Sequence, residues 1–224
     1  MAAGLGIFVN TPSLSRFKGE LCADLGRLRA EAFYLSSAEA VASVAEATRQ
    51  SAELTSYWAV AEAEATGGDA WADLPVLAQG EGDLGSRLAR VYAAMLERHG
   101  RALLVGADSP QLCPRLLLQA LEWLHLPGPR LVIGRAEDGG FWLFAGNVPL
   151  AAERWNQARY GSADTADRVM QAMHSAGAWL QLDVLADVDR AADLATVRRQ
   201  LAELPTPTPA QRRLLQWMDD ALRD

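Results

Sequence analysis

The chain has few of the residues that form disulfide bonds or bind zinc. Its 224 residues include two cysteines and three histidines. Cys22 and Cys113 lie far apart in sequence, and the histidines do not have the close spacing of a zinc-binding motif. These scarcities exclude a disulfide-rich scaffold and a Cys/His zinc module. We therefore expect reduced thiols and a cytoplasmic protein.

The chain also lacks basic clusters and long apolar runs. Its 21 Lys and Arg residues are scattered and outnumbered by 28 Asp and Glu residues, which gives a formal net charge of -7. Binding to nucleic acid requires clustered positive charge, so no nucleic-acid partner is expected. No segment reaches the roughly 18 apolar residues of a membrane span, and the N-terminal residues lack the pattern of a secretory signal. We expect neither a membrane span nor a secretory leader.

Short apolar runs alternate along the chain with segments of helical periodicity. Apolar residues make up 50% of the sequence and charged residues 22%, as in a globular protein with a sizeable core. The alternation indicates one α/β domain. The strand at 141–145 follows a Gly-Gly turn, so we expect it to pair in a local hairpin or at a sheet edge. The other strands are predicted at 5–9, 57–61, 74–79, 131–134, 179–182 and in the stretch 102–110, and the helices at 21–48 with a break near Gly26, 84–98, 111–125, 164–176 and 191–204.

The C-terminal 20 residues differ from the rest of the chain. The alternating prolines from Pro205 to Pro209 favour an extended spacer. Thr208 and Pro209 are a suitable N-cap and first-turn pair for a final helix with an apolar stripe. We divide the chain into a main domain at 1–204 and an appended segment at 205–224. The stripe either docks on its own domain or forms a homodimer contact.

Acidic residues follow three of the predicted strands. These junctions carry Asp108, the pair Glu137 and Asp138, and the pair Asp187 and Asp189. Because the carboxyl ends of parallel strands meet at one edge of the sheet, we expect these acids to converge on a ligand crevice. Two or three carboxylates in one crevice favour a divalent cation such as Mg²⁺. The alternative is that each acid caps the helix that follows it.

Glycines and basic residues near these junctions allow two interpretations each. The pair Gly139 and Gly140 permits close approach of a ligand, or simply forms a tight hairpin turn. Arg16 and Lys18 precede a long helix and are candidate phosphate contacts, or else solvated loop residues. The tryptophans at 142, 155 and 179 are expected in the core or in the crevice wall.

Taken together, the motifs in their order resemble a bacterial glycosyltransferase-like family. The motifs are Pro12 with Lys18, QGEGDLG at 79–85 with Arg87 and Leu88, GADSP at 106–110, EDGG at 137–140 and DVD at 187–189. That family belongs to the nucleotide-diphospho-sugar transferase superfamily, which has the GT-A fold. It is similar at longer range to molybdenum cofactor guanylyltransferase and phospholactate guanylyltransferase. The resemblance covers roughly residues 5 to 200.

The resemblance implies a Rossmann-like three-layer α/β/α sandwich with a mostly parallel central sheet, extended here by the C-terminal helix. It further implies a Mg²⁺-dependent (or Mn²⁺-dependent) transferase that uses a nucleotide or nucleotide-sugar donor on a small-molecule acceptor. The roles it implies are metal ligands at Asp108 and Asp189, positions near the base at Gln79, Gly82 and Leu84, and positions near the acceptor or sugar at Asp138, Gly139 and Gly140. The transferase hypothesis adds catalytic carboxylates at Asp108 and Asp138 and phosphate contacts at Arg16 and Lys18.

The first loop departs from the family pattern. Members carry Lys where this chain has Asn10, and a Lys-Thr-Arg-Leu run where it has Lys18-Gly19-Glu20-Leu21. At about 1.5–3 kcal/mol per charge-assisted contact, the loss of two cations would weaken phosphate binding by several orders of magnitude. Two hypotheses follow. The protein is either a transferase with altered specificity or a non-catalytic binding protein with the same fold.

Overall fold

The structure, a computed structural model, describes residues 2–14, 19–67 and 69–221. Seven strands form one sheet in the order β3-β2-β1-β4-β6-β5-β7. Strand β6 runs antiparallel to both of its neighbours, and the other pairings are parallel. The mostly parallel sheet predicted for the fold is confirmed. The strands are β1 (Ala3–Val9), β2 (Leu54–Val60), β3 (Val76–Ala78), β4 (Ala102–Gly106), β5 (Arg130–Ala136), β6 (Phe141–Gly146) and β7 (Ala178–Leu185).

Within the described residues, eight α-helices connect or cover the strands. The predicted long first helix is broken at Gly26, as expected, because this residue has a φ of 78° that a continuous helix cannot accommodate. None of the described helices is long and apolar enough to cross a membrane. The helices are α1 (Gly19–Leu25), α2 (Arg27–Thr48), α3 (Leu84–His99), α4 (Pro114–His125), α5 (Ala152–Gln157), α6 (Thr165–Ala172), α7 (Asp193–Ala202) and α8 (Pro209–Ala221), with 3-10 turns at Ala63–Gly67 and Asp69–Trp71.

The sheet buries both of its faces, which makes the domain a three-layer α/β/α sandwich. Alternate residues of the central strands point to opposite faces: Leu103 of β4 packs with α2 and α4, whereas Leu104 packs with α3, α5 and α6. On the second face Phe144 contacts Trp155 of α5, with ring centroids 4.7 Å apart. The apolar runs of the central strands β1, β4, β5 and β6 are therefore buried on both faces of the sheet.

Strand β6 occupies a more central position than the sequence indicated. The predicted hairpin is confirmed, because β6 pairs with β5. Placement at a sheet edge was wrong, since β6 also pairs with β4 and the sheet edges are β3 and β7. The short helix α5 was not predicted. Its six residues are too few to show a clear helical period.

The C-terminal helix α8 packs against α2 and α7 of its own chain. Its stripe joins a third apolar cluster in which Leu214 and Met218 are fully buried together with Phe33. Thr208 and Gln211 form a reciprocal capping box, because each side chain accepts a hydrogen bond from the other residue's backbone N–H. The Gln211 amide also donates to the carbonyls of Pro110 and Leu112. The apolar stripe of α8 is therefore buried against its own chain. The homodimer stays a prediction, and it would need a different contact surface.

The docking of α8 is testable with matched leucine substitutions. Leu214 is 0% exposed, and we expect Leu214→Ala to lower the free energy of unfolding by about 2–5 kcal/mol, because it leaves a cavity under α8. Leu28 is 84% exposed, and Leu28→Ala should change the same quantity by less than about 0.5 kcal/mol. Urea unfolding measures both. Equal effects would show that α8 does not dock as described.

Candidate functional site

The three acid-bearing junctions lie at one edge of the sheet. Strands β4, β5 and β7 run in the same direction, since β6, which lies between β4 and β5 in the sheet, is antiparallel to both, and β7 is parallel to β5. Asp108 follows β4, Asp138 follows β5, and both Asp187 and Asp189 follow β7. Their backbones therefore emerge at the carboxyl edge, where ligand crevices of open α/β sheets are found.

Three of these carboxylates form a close group. Oxygen atoms of Asp138, Asp187 and Asp189 all lie within 4.8 Å of one another, and Asp187 is half-buried while the other two are exposed. The group was found among the described residues, and it leaves out Asp108, which lines a cavity together with Asp138 and Asp187. A donor set made only of carboxylate oxygens suits a hard cation such as Mg²⁺ or Mn²⁺.

The turn between β5 and β6 holds Asp138 in place. Its Oδ1 accepts a hydrogen bond of 2.7 Å from the Gly140 N–H. Gly139 has a φ of 90°, and a Cβ atom there would lie 1.9 Å from the Ala163 carbonyl oxygen. The Gly139 carbonyl accepts a bond from the N–H of Ala166 in α6. The glycine pair thus forms the tight turn that brings the α6 loop against the acidic edge.

Beside the acids lies a cavity of about 200 Å³ with one apolar and one polar side. The Tyr160 hydroxyl donates to the Trp155 carbonyl, and burial raises the pKa of this phenol. Ser109 is 2% exposed, and its hydroxyl has no hydrogen-bond partner among the described residues. The apolar side includes Phe8, Leu84, Phe141 and Tyr160, and the polar side includes Asp108, Ser109, Asp138 and Asp187.

A second cavity of about 360 Å³ adjoins the first and shares Asp138 and Asp187 with it. Its lining is mostly acidic and includes Asp189 and Glu137. Arg190 lies in the same wall and pairs with Glu20 of α1, Nε to Oε2, at 2.5 Å. Glu20, which stands where the family pattern has Arg, therefore forms an ion pair with Arg190 in the segment that follows β7.

Several residues singled out from the sequence meet around the first cavity. Leu84, Asp108, Asp138 and Gly140 line it, and Gly139 lies in the adjacent turn. Their roles toward a ligand stay predictions. Asp189 lines the second cavity.

Other predicted residues have different surroundings. The buried Gln79 amide donates to the carbonyls of Val9 and Ala59, which joins the ends of β1 and β2. Gly82 lies before α3 with a φ of 109°, and its carbonyl accepts a bond from Arg87 Nε. Arg16 and Lys18 lie outside the described residues.

Sequence reasoning missed some of the site. Asp187 belongs to the DVD motif after β7, but the sequence predicted only Asp189 of this motif as a metal ligand. Tyr160 and Ser109 carried no signal, since a lone Tyr in a loop and a Ser before Pro are common features. Only the packing of the α5–α6 loop against β6 places Tyr160 at the cavity, where its ring lies 6.5 Å from that of Phe141.

The sheet order and the surrounding helices define a Rossmann-like three-layer α/β/α fold. A proposed nucleotide-diphospho-sugar transferase from Desulfovibrio desulfuricans G20 has a TM-score of 0.84 and 23% identity, covering 100% of this chain and 98% of that chain. The chain belongs to the family described as "Uncharacterized protein conserved in bacteria (DUF2064)", whose model matches residues 40–162, more than half of its length.

Two further solved structures are similar at lower scores. A nucleotidyl transferase from Methanothermobacter thermautotrophicus has a TM-score of 0.56 and 13% identity, covering 90% of this chain and 99% of that chain. A CMP:2-keto-3-deoxy-manno-octonic acid synthetase complexed with CTP has a TM-score of 0.51 and 13% identity, covering 91% and 99%. At these identities the likeness is one of fold. No curated protein matches the chain in sequence.

The turn that carries Asp138 can be tested with two glycines of equal backbone conformation. Gly139 and Gly128 both have a φ of 90°, but a Cβ atom at Gly128 would meet no described atom within 4 Å. We expect Gly128→Ala to destabilise the protein by about 1–2 kcal/mol, the cost of a left-handed residue. Gly139→Ala should cost roughly 1–3 kcal/mol more, because its Cβ meets the backbone. Urea unfolding gives both values, and equal costs would contradict the tight packing of this turn.

Proposed function

We propose that the protein is a divalent-cation-dependent transferase that uses a nucleotide or nucleotide-sugar donor on a small-molecule acceptor. The observation that supports this most is the group of three carboxylates beside a half-apolar cavity, at the carboxyl edge of a nucleotide-diphospho-sugar transferase fold. The similar proteins named for nucleotidyl and nucleotide-sugar transfer support the same class. In this fold the carboxyl edge is where a nucleotide would bind.

The carboxylates would hold the cation. Asp108 and Asp189 are the proposed ligands, and Asp187 is added because its carboxylate is grouped with that of Asp189 and it lines both cavities. Mg²⁺ or Mn²⁺ suits these oxygen donors. When bound, the cation would neutralise the negative charge of the donor phosphates.

The protein's own groups would position the reactants. Asp138 is exposed, oriented by the Gly140 N–H, and could accept a proton from an acceptor hydroxyl brought into the cavity. The apolar side formed by Phe8, Leu84 and Phe141 would exclude water and pack on the ring of the nucleotide base. Most of the rate enhancement would come from orientation and charge neutralisation.

A non-catalytic binding protein is the second candidate, and the first loop favours it. Asn10 and Glu20 stand where the resembled family pattern has Lys and Arg, so this chain has lost two cations and gained an acid near the expected phosphates. The Glu20–Arg190 pair argues in the other direction, because the added acid is matched by a cation. Retained nucleotide binding without turnover of any nucleotide or nucleotide-sugar donor would favour this candidate.

Calorimetry with Mg²⁺ or Mn²⁺ and a panel of nucleotides tests the first candidate. We expect Asp108→Asn and Asp187→Asn each to weaken nucleotide affinity roughly tenfold or more, because a metal ligand or an adjacent carboxylate is lost. Asp183→Asn is the matched control, since Asp183 is an exposed acid of β7 that pairs with Arg115. No binding of any nucleotide at millimolar concentration, or equal binding by Asp108→Asn and wild type, would overturn the metal-bridged model.

The apolar side of the cavity is tested by two equally exposed leucines. Leu84 is 45% exposed in the cavity wall, and Leu126 is 46% exposed at the end of α4. We expect Leu84→Ser to weaken nucleotide affinity by roughly three- to tenfold, since apolar contact with the base is lost. Leu126→Ser should leave it unchanged. If both variants bind nucleotide as wild type does, Leu84 does not contact the ligand.

A further inference from the structure

One side chain of α7 contacts all three acid-bearing junctions. The Gln200 Oε1 accepts hydrogen bonds from Gln111 Nε2 at 2.9 Å and from the Ala186 N–H at 3.4 Å. Its Nε2 donates to Glu137 Oε1 at 3.3 Å. A single carboxamide therefore joins the segments that follow β4, β5 and β7.

Each of these contacts lies close in sequence to an acid of the site. Glu137 precedes Asp138, Ala186 precedes Asp187, and Gln111 follows Asp108 by three residues. Gln111 is 2% exposed and donates a second bond, of 2.5 Å, to the Ala186 carbonyl. A shift of any one junction would be opposed by bonds to the other two.

The chemistry of the contact requires an amide. The Glu137 carboxylate only accepts hydrogen bonds, whereas Gln111 Nε2 and the Ala186 N–H only donate them. The group between them must therefore donate on one side and accept on the other. A carboxylate at position 200 would lose the donor and face Glu137 with a like charge, and an apolar side chain would lose all three bonds.

The helix that carries this amide is itself anchored. Leu194, Val197 and Leu201 of α7 are buried in the third apolar cluster. At the start of α7, Asp193 Oδ2 accepts bonds from the N–H groups of Asp189 and Arg190. The helix thus offers a rigid support on which loops from different strands can be held. It lies beyond residue 162, where the match to the family model ends.

We propose that Gln200 is a positioning residue that sets the spacing of the carboxylates at the sheet edge. Where it concerns the cation, this inference rests on the proposed function. The bonds that it makes between the junctions stand independently of any ligand.

Hydrogen exchange in the full chain tests the positioning directly. In Gln200→Met, which keeps the length of the side chain but makes none of its hydrogen bonds, we expect backbone exchange to become at least roughly tenfold faster in 107–111, 136–140 and 185–189 alike. Gln200→Glu keeps the acceptor oxygen and loses the donor, so its largest increase should fall in 136–140. Gln216→Met, at an exposed position of α8, is the control and should leave all three segments unchanged.

Titration with Mn²⁺ alone is the second readout. We expect Gln200→Met to bind Mn²⁺ roughly tenfold more weakly than wild type at temperatures where both are folded, as for other residues that orient metal ligands. Unchanged exchange in the three segments, or faster exchange confined to α7, would overturn the proposal. Wild-type protein that binds no Mn²⁺ would count against the proposed function, and the exchange pattern would still decide the role of Gln200.

Discussion

The candidate site depends on the common direction of β4, β5 and β7. Helix α4 connects β4 to β5 as a crossover, so that the two strands run in the same direction, and β7 is parallel to β5. Strand β6 lies between β4 and β5 in the sheet and pairs with both. The acids that follow β4, β5 and β7 therefore share one edge, and β6 sets the spacing between β4 and β5 along it.

The carboxylates of Asp138, Asp187 and Asp189 repel one another because their oxygen atoms lie within 4.8 Å. Hydrogen bonds in the segments that carry them oppose this repulsion. Asp138 accepts from Gly140, the β7 loop is held by Asp193, and the Gln200 amide joins the junctions. These contacts orient the backbone segments that carry the carboxylates. In the proposed function this arrangement would favour a hard cation, because its oxygen ligands are held close together before it binds.

The segments beyond the family match are part of this arrangement. Helix α7 supplies Gln200, and α8 supplies Gln211, which donates to the carbonyls of Pro110 and Leu112 in the segment after Asp108. The division into a main domain at 1–204 and an appended segment at 205–224 stays a prediction. In the folded chain the C-terminal helix packs on α2 and α7 and supports the loop that carries Asp108. Segments within and beyond the family match therefore both contribute to the candidate site.

By itself the sequence determined most of the helices and strands and the positions of the acids that follow the strands. Buried parallel strands need continuous apolar runs, and the break at Gly26 follows from backbone chemistry that acts locally. Helix α4 begins at Pro114, three residues after the predicted start, because proline suits the first position of a helix. The fold class and the junctions at Asp108, Asp138, Asp187 and Asp189 could therefore be predicted, and the structure places all four at one edge. Only the tertiary structure decided that β6 lies inside the sheet, that Tyr160 and Ser109 line the cavity, and that Gln200 joins the three junctions. These facts depend on contacts between residues far apart in the chain, and no local pattern of side chains encodes which distant partner each of them meets.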